Sequence, residues 1–490
     1  MFFLLADLSE SSIQNFITYV KEKKSQWKIP GTIFIGIIYN NQEKTYLIGD
    51  PLSEKTLLPI ASLSKTMTAH LIGALVKKGV LHLNDPVSQY IPDLKWPHKK
   101  EIRIIDILTH QTGIGSFSGD SLLKLGFNDS EIKKKFPFFH IHSNDKTTYT
   151  YNNLPMGLLE TVIEKATHKS FDQVAKELLF DPLKMSSACY DALKEKKGIL
   201  SSCTRNQKNL SPLYIYENED QYVKIFPNPN MAFFRASMGV VLTYPDLLKW
   251  LRYLMHPEQY NIVSSEFQKA VRTSYTSFYP KEYDVQFFKE RRVGPVHYGI
   301  NLFHMMYDAH QYYFHMGAWI GMRSYIAFDP KENFGIVIWH NLGSNDISLL
   351  PEAIDARFLD MTYDLQQKDW ISEMMTGKIR YRSRIRNDYL SLLPSPSLPY
   401  AELCGHFHND YYGDIDILQQ SSNLYMQYRN KKIKLIHQDG NRFSFDPKEF
   451  HQYFDHGLPH WVIFSYNKDH KLVLRNSLML EGREPLFIRR

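Results

Sequence analysis

Cysteine is scarce: Cys189, Cys203 and Cys404 are the only three in a chain of 490 residues. That excludes a disulfide framework as the source of the fold. Three free thiols are expected, with a Cys189–Cys203 pair as the alternative. Long apolar runs are missing too. No stretch approaches the ~20 residues a membrane-spanning helix needs, so no transmembrane segment is expected. The opening MFFLLA, before Asp7, has the apolar character of a secretory leader without its basic start or its length. It reads as the tail of a leader or as a first strand or helix, which leaves export open.

Charge of one sign is also in short supply. The net charge of +6 is mild for this length, and nucleic-acid binding calls for a concentrated basic stripe. The one dense run, KIRYRSRIR at 378–386, reads as a solvated face. No nucleic-acid partner is expected. The chain has no H-E-x-x-H, no G-x-x-x-x-G-K-[ST] and no G-x-S-x-G, the signatures of zinc proteases, phosphate loops and nucleophile elbows. No cofactor and no metal is implied. The histidines of the last ninety residues (His406, His408, His451, His456, His460) lack a metal-ligand spacing.

What is present suits a globular protein of two domains, one of them large: 43% hydrophobic and 14% aromatic residues. GTIFIGIIYNNQEKTYLIGD (31–50) places two β-rich runs around Asn40, Asn41 and Gln42, an antiparallel hairpin. Residues 63–80 carry helical periodicity stopped near Gly79, and 155–166 form a second amphipathic helix with Pro155 in its first turn. A third helix starts at Thr243-Tyr244-Pro245-Asp246, where Thr243 can cap and Asp246 can return the bond. YYF, SYIAF and FGIVIWHN (312–341) return to strand character, with turns around Gly317–Gly321 and Asp329-Pro330. Strands near both ends of the first ~360 residues, with helices between, give an α+β plan whose largely antiparallel sheet is completed by distant segments. The proline-rich LLPSPSLPY (392–400) marks a linker. Beyond it DIDIL, NLYMQYR, KIKLIH, RFSFD, WVIFSY and KLVLR alternate as short strands of a small β-barrel or sandwich. The expected boundaries are 1–365, a helical and proline-rich linker 366–398, and 399–490.

The stretch ASLSKTMTAH (61–70) sets Ser62 and Lys65 three apart at a helix start. Residues i and i+3 share a helix face, so the Lys65 amine can reach the Ser62 hydroxyl. A serine is a poor nucleophile unless a base takes its proton. A lysine whose pKa is lowered by burial can be that base. Alone the pair is weak, because a capping serine and a solvated lysine would write the same letters. Other stretches follow in order, however: LHLNDPVSQYIPDL (81–94), IRIIDILTHQTGI (102–114), YTYNNLPMGLLETVIEKATHKSF (149–171), FDPLKMSS (180–187) and YFHMGAWIGMRS (313–324).

Together these resemble the serine β-lactamase-like family: class C β-lactamases, low-molecular-weight penicillin-binding proteins such as D,D-carboxypeptidases, D-aminopeptidases and related esterases. The resemblance spans roughly residues 15 to 360. It implies that Ser62 is acylated with Lys65 as partner. It puts the Y-x-N motif on Tyr151-Asn152-Asn153, a frame supported by Tyr149 and Glu164. Tyr151 would share acid/base work, and Asn153 would hold Lys65 and the substrate carbonyl. The third motif falls on His315-Met316-Gly317: Gly317 lets backbone approach the substrate, the N–H groups of Ala318 and Ser62 form the oxyanion hole, and His315 orients Tyr151 or meets the leaving group. Family β-lactamases carry lysine and a hydroxyl residue where this chain has His315 and Met316, and they use them on a β-lactam carboxylate. The S-D-N and K-T-G companions of class A enzymes are absent as well. Weight therefore moves toward peptidase or esterase.

PYAELCGHFHNDYYGDIDI (399–417) resembles the lipocalin-like β-domain appended to some peptidase and esterase members, with Asn409, Tyr411, Tyr412 and Gly413 as a tight turn. The expected function is a metal-independent serine hydrolase cleaving an amide, peptide or ester, a D-amino-acid cell-wall peptide among them. The alternatives are an esterase or β-lactamase of the same fold, or a non-catalytic receptor that keeps it. A small-molecule or peptide substrate is the partner implied. Specificity is expected in loops 115–147, 194–232 and 272–297. The family's habit favours a bacterial periplasm or envelope, and a cytoplasmic location follows if the N-terminus is as given. The sequence carries no signal of oligomeric state.

Overall fold

The structure, a computed structural model, describes residues 8–97, 101–143, 147–190, 209–216, 222–225, 234–278, 294–343, 349–377, 395–445, 460–476 and 486–490. The apolar opening, the basic run at 378–386, His451 and His456 lie outside them. So does most of the segment 194–232. Among the described residues no helix is long and apolar enough to cross a membrane.

The predicted hairpin is β1 (Ile33–Tyr39) and β2 (Gln42–Ile48). It is closed by Asn40 and Asn41, both at positive φ, which matches a two-residue turn of the primed type. These strands join five from the far end of the first domain and one between. They are β7 (Thr276–Phe278), β8 (Val296–Tyr298), β9 (Phe303–Tyr307), β10 (His310–Trp319), β11 (Met322–Asp329) and β12 (Phe334–His340). The eight form one antiparallel sheet in the order β2-β1-β12-β11-β10-β9-β8-β7.

Period-two alternation sorts the sheet's side chains onto two cores. Ile33, Ile35, Ile37, Tyr312, Phe314, Tyr325, Ile336 and Ile338 face one side. There α1 (Glu10–Gln26) packs through Ile13, Phe16, Ile17 and Val20. Phe34, Tyr313, Ile326, Phe328, Val337 and Trp339 face the other. Helix α2 (Ser64–Lys77) lies there, buried almost all round, as befits a helix through the middle of a domain. Trp370, Ile371 and Met375, in the stretch expected to be linker, pack into the α1-side core.

Three local expectations are corrected. Gly317 is not in a turn: β10 runs on to Trp319, and the reversal is at Ile320-Gly321. Thr243 precedes a helix, Tyr244–Met255, without capping it through its side chain. Ser187 intervenes, its hydroxyl meeting Thr243 Oγ1 at 2.9 Å and Asp246 Oδ2 at 2.5 Å. Cys189 is disulfide-bonded, so three free thiols do not hold; Cys404 is free.

The C-terminal strands close into a barrel. In order they are β13 (Gly405–Asn409), β14 (Gly413–Gln420), β15 (Asn423–Tyr428), β16 (Lys431–Asp439), β17 (Arg442–Phe445), β18 (His460–Tyr466), β19 (Leu472–Asn476) and β20 (Leu486–Arg489). Closure removes the free edges that a small sheet would expose. The turn after β13 forms as expected, with the Asn409 side chain accepting the N–H groups of Tyr411 and Tyr412 and Gly413 at positive φ.

Candidate active site

The site lies where α2 begins, against the sheet. Strand β3 (Leu58–Pro59) pairs with β6 (Val241–Leu242) and leads into a 3-10 turn, Ala61–Leu63. Four bonds clamp this turn. Ile60 N–H donates to Val240 O at 3.1 Å, Ser324 Oγ donates to Ile60 O at 2.7 Å, Trp339 Nε1 donates to Pro59 O at 2.9 Å, and Val240 N–H donates to Ser64 Oγ at 2.9 Å. Ala61 is held at φ 46°, in the left-handed region that a side chain disfavours. Such strain persists only where surroundings over-determine it, and here it turns Ser62 toward the sheet.

Lys65 is wholly buried one helical turn on. Its amine contacts Ser62 Oγ at 3.0 Å, Asn153 Oδ1 at 2.6 Å and the Ser237 carbonyl at 3.0 Å. Asn153 opens helix Asn153–Thr167, and Ser237 lies in the short helix Arg235–Met238. The Asn153 amide is fixed by chemistry: its Nδ2 donates to Asp120 Oδ2 at 2.7 Å, and a carboxylate accepts only. Its oxygen must therefore face Lys65. Burial pulls the Lys65 pKa down to about 7, with the Asp120 charge acting in the opposite sense.

This geometry dictates where a proton can go. An ammonium has three donors, and all three acceptors are in place. A neutral amine has two N–H bonds and a lone pair. Asn153 Oδ1 and Ser237 O can only accept, so they take the N–H bonds, and the lone pair falls to Ser62, the one of these three able to donate. Neutral Lys65 is aimed at the Ser62 hydroxyl.

Tyr151 lies against the same amine, its ring centroid 4.9 Å from Lys65 Nζ. The chain around it is held by His110. The His110 carbonyl accepts from Thr150 N–H at 2.9 Å, and its Nδ1 accepts from Asn152 N–H at 3.2 Å. Its ring also packs on that of Tyr151 at 4.4 Å. Burial, then Lys65, drives the His110 pKa well down, so it stays neutral.

The third motif lines the opposite wall. β9 pairs with β10 from His310 to Phe314, and among the described residues no strand lies beside that edge of β10 farther on. Gly317 meets the nucleophile turn there. A Cβ on it would lie 2.2 Å from Ser324 Oγ, 2.3 Å from Ile60 O and 3.1 Å from Ser62 N. Only glycine fits so close. Ala318 follows, exposed. His315 has no exposed surface; Nδ1 bonds to the carbonyl of the next residue, Met316, at 2.8 Å, and Nε2 lies 3.4 Å from the Tyr298 hydroxyl. Burial and Lys65 push its pKa down to about 3, so it is neutral and sits behind the site. Met316 packs with the core on the α1 side of the sheet.

Ser62, Lys65, Tyr151, Asn153 and Gly317 thus converge, with Ala318 at the open edge and His315 beneath. The sequence reading missed Asp120, Ser237 and the clamp by His110. Ser237 contributes a backbone carbonyl, which no side-chain pattern can announce. Asp120 follows Gly119, itself at positive φ, inside a segment read as a specificity loop.

A family model described as Beta-lactamase matches residues 16–355. The chain belongs to the beta-lactamase family. Protein flp of Staphylococcus aureus (strain MW2) is 22% identical over 367 residues, 72% of this chain and 68% of that protein. A beta-lactamase of Providencia stuartii is 24% identical over 377 residues, 71% and 89% of the two chains. The octameric penicillin-binding protein homologue from Pyrococcus abyssi is similar with a TM-score of 0.61 at 20% identity, covering 97% of this chain and 99% of that one. A class C beta-lactamase follows at TM-score 0.54 and 19% identity, covering 73% and 96%. These solved structures speak for the fold alone. The family is one of serine hydrolases, which agrees with the coarse functional reading.

Proposed function

We propose that the chain is a serine hydrolase of the penicillin-binding-protein type, cleaving an amide, peptide or ester through an acyl-enzyme on Ser62. A D-amino-acid peptide is the first substrate class to test. The observation that carries this reading is the buried Lys65 amine, held by two groups that can only accept, Asn153 Oδ1 and the Ser237 carbonyl, and by the Ser62 hydroxyl, which can donate.

Ser62 Oγ attacks the substrate carbonyl carbon while its proton passes to Lys65 Nζ. Charge building on the carbonyl oxygen is met by the Ser62 and Ala318 N–H groups, usually the largest catalytic contribution in such sites. The carbon–nitrogen or carbon–oxygen bond then breaks, and the leaving group takes up the proton from Lys65 by way of Tyr151. Water enters, gives its proton back along the same route, and releases the acid and free Ser62. An extended substrate backbone would lie along β10 at Gly317-Ala318. Asn153 acts here by holding Lys65, and His315 by supporting β10 from behind.

Met316, packed away from Ser62, supplies no donor for a β-lactam carboxylate and favours peptide or ester over β-lactam. The test is intact mass after exposure to benzylpenicillin, with Ser62→Ala as control. A persistent adduct absent from the variant points to cell-wall peptides. No adduct, with the drug left intact, turns the search to esters and D-aminoacyl amides.

A further inference from the structure

Asp120 stands at the end of a hydrogen-bonded line that no motif announces: Asp120 Oδ2 to Asn153 Nδ2 at 2.7 Å, Asn153 Oδ1 to Lys65 Nζ at 2.6 Å, Lys65 Nζ to Ser62 Oγ at 3.0 Å. The carboxylate does two things in this line. As an acceptor-only group it fixes which way the Asn153 amide faces. As the one anion in the line it favours the charged form of Lys65.

The helix that Asp120 begins, Asp120–Lys124, packs through Leu122 and Leu123 in one apolar cluster with barrel side chains. The Tyr412 hydroxyl lies 3.2 Å from Ser121 Oγ, at the residue next to Asp120. Farther along, Lys135 Nζ donates to the Asp410 carbonyl at 2.8 Å, and Arg429 pairs with Glu131 at 3.1 Å while its guanidinium covers Phe127 at 4.2 Å. Leu122, Leu123, Phe127 and Ile132 share one apolar core with the barrel interior. The segment that carries Asp120 is thus the surface on which the barrel sits.

We propose that Asp120 is a positioning residue of the catalytic centre, acting on Lys65 through Asn153, and that the barrel holds it in place. The inference rests on the serine-hydrolase reading above. Among the described residues the other titratable groups around Lys65 include His110, His315 and Tyr151, with Tyr298 behind His315. The two histidines are neutral, which leaves Asp120 as the carboxylate that acts on Lys65.

The test is the rate at which a fluorophosphonate labels Ser62, followed by intact mass across pH, in the full-length chain. In the wild type the rate rises as Lys65 loses its proton. Asp120→Asn keeps the shape and removes the charge, so the Lys65 pKa falls and the rise moves to lower pH by about one unit. Tyr412→Ala combined with Arg429→Glu loosens the barrel seat and moves the rise in the same direction, by less. An unmoved rise in Asp120→Asn, with only a uniform loss of rate or of melting temperature, overturns the positioning role. An unmoved rise in the double variant overturns the part given to the barrel. A wild type that never labels sinks the serine-hydrolase reading itself and this inference with it, an outcome distinct from the other two. Titration of the Lys65 amine by NMR in Asp120→Asn reads the same shift without turnover.

Discussion

The two faces of the central sheet each bury a polar network, and the networks differ in what their protons are free to do. On the α1 side, the helix Leu350–Thr362 carries Asp355, wholly buried, which accepts from the Tyr312 hydroxyl at 2.6 Å and the Tyr325 hydroxyl at 3.0 Å. Asp360, one turn on, accepts from the Tyr307 hydroxyl and Trp370 Nε1, both at 2.7 Å. Asp360 also accepts from Lys368 N–H at 3.2 Å, so these carboxylates are held by several fixed donors, which rigidifies a packed core. On the α2 side a lysine takes the place of the carboxylates, held by two acceptors and one serine that can also donate. The first network locks a helix to the sheet. The second leaves one proton able to move.

The largest effect that separates the faces is loss of turnover. Lys65→Ala, like Ser62→Ala, is expected to lower kcat/KM by about 10⁴-fold or more, because nucleophile and base act as a unit. Calorimetry should show no loss of stability in Ser62→Ala. Next comes Asp355→Ala, which leaves two tyrosine hydroxyls buried without their acceptor. Its cost is about 3 kcal/mol in denaturant unfolding, with the kcat of the folded protein unchanged. A third effect is pH. Lys65 must be neutral to act, and its pKa is about 7, so kcat/KM should fall about tenfold per unit below pH 7 and level off above it. The smallest is Tyr312→Phe, about 1 kcal/mol of stability and no change in the pH profile. A Tyr312→Phe or Asp355→Ala variant whose pH profile moved would break the separation of the two faces.

Much of this contrast was legible in the linear sequence, where it depended on short-range spacing. Ser62 and Lys65 lie three apart, and the Tyr151 and Gly317 motifs follow in order, so the site's outline could be drawn. Five of the sheet's eight strands showed as β-rich runs and six of the barrel's eight as alternation, while β7, β8 and β9, three to five residues each, went unread. β13 and β20 went unread as well, because GHFHN and LFIR are too short and mixed for a period of two to show. What failed to show were contacts set by three-dimensional proximity. Asp120 reaches Asn153 across thirty-three positions, and Ser187 displaces the expected cap at Thr243 from fifty-six positions away. Close approach at Gly317 was expected from the motif, and Ile60 and Ser324 are the neighbours that require it; only the position of the turn, at Ile320-Gly321, had to be narrowed.

The most direct test of a movable proton at Ser62 is the titration of Lys65 itself, in chain labelled with ¹³C at the lysine side-chain carbon next to nitrogen and assigned with Lys65→Arg. The account predicts that the Lys65 resonance titrates near pH 7. A Lys65 resonance that stays charged to pH 10 would contradict it.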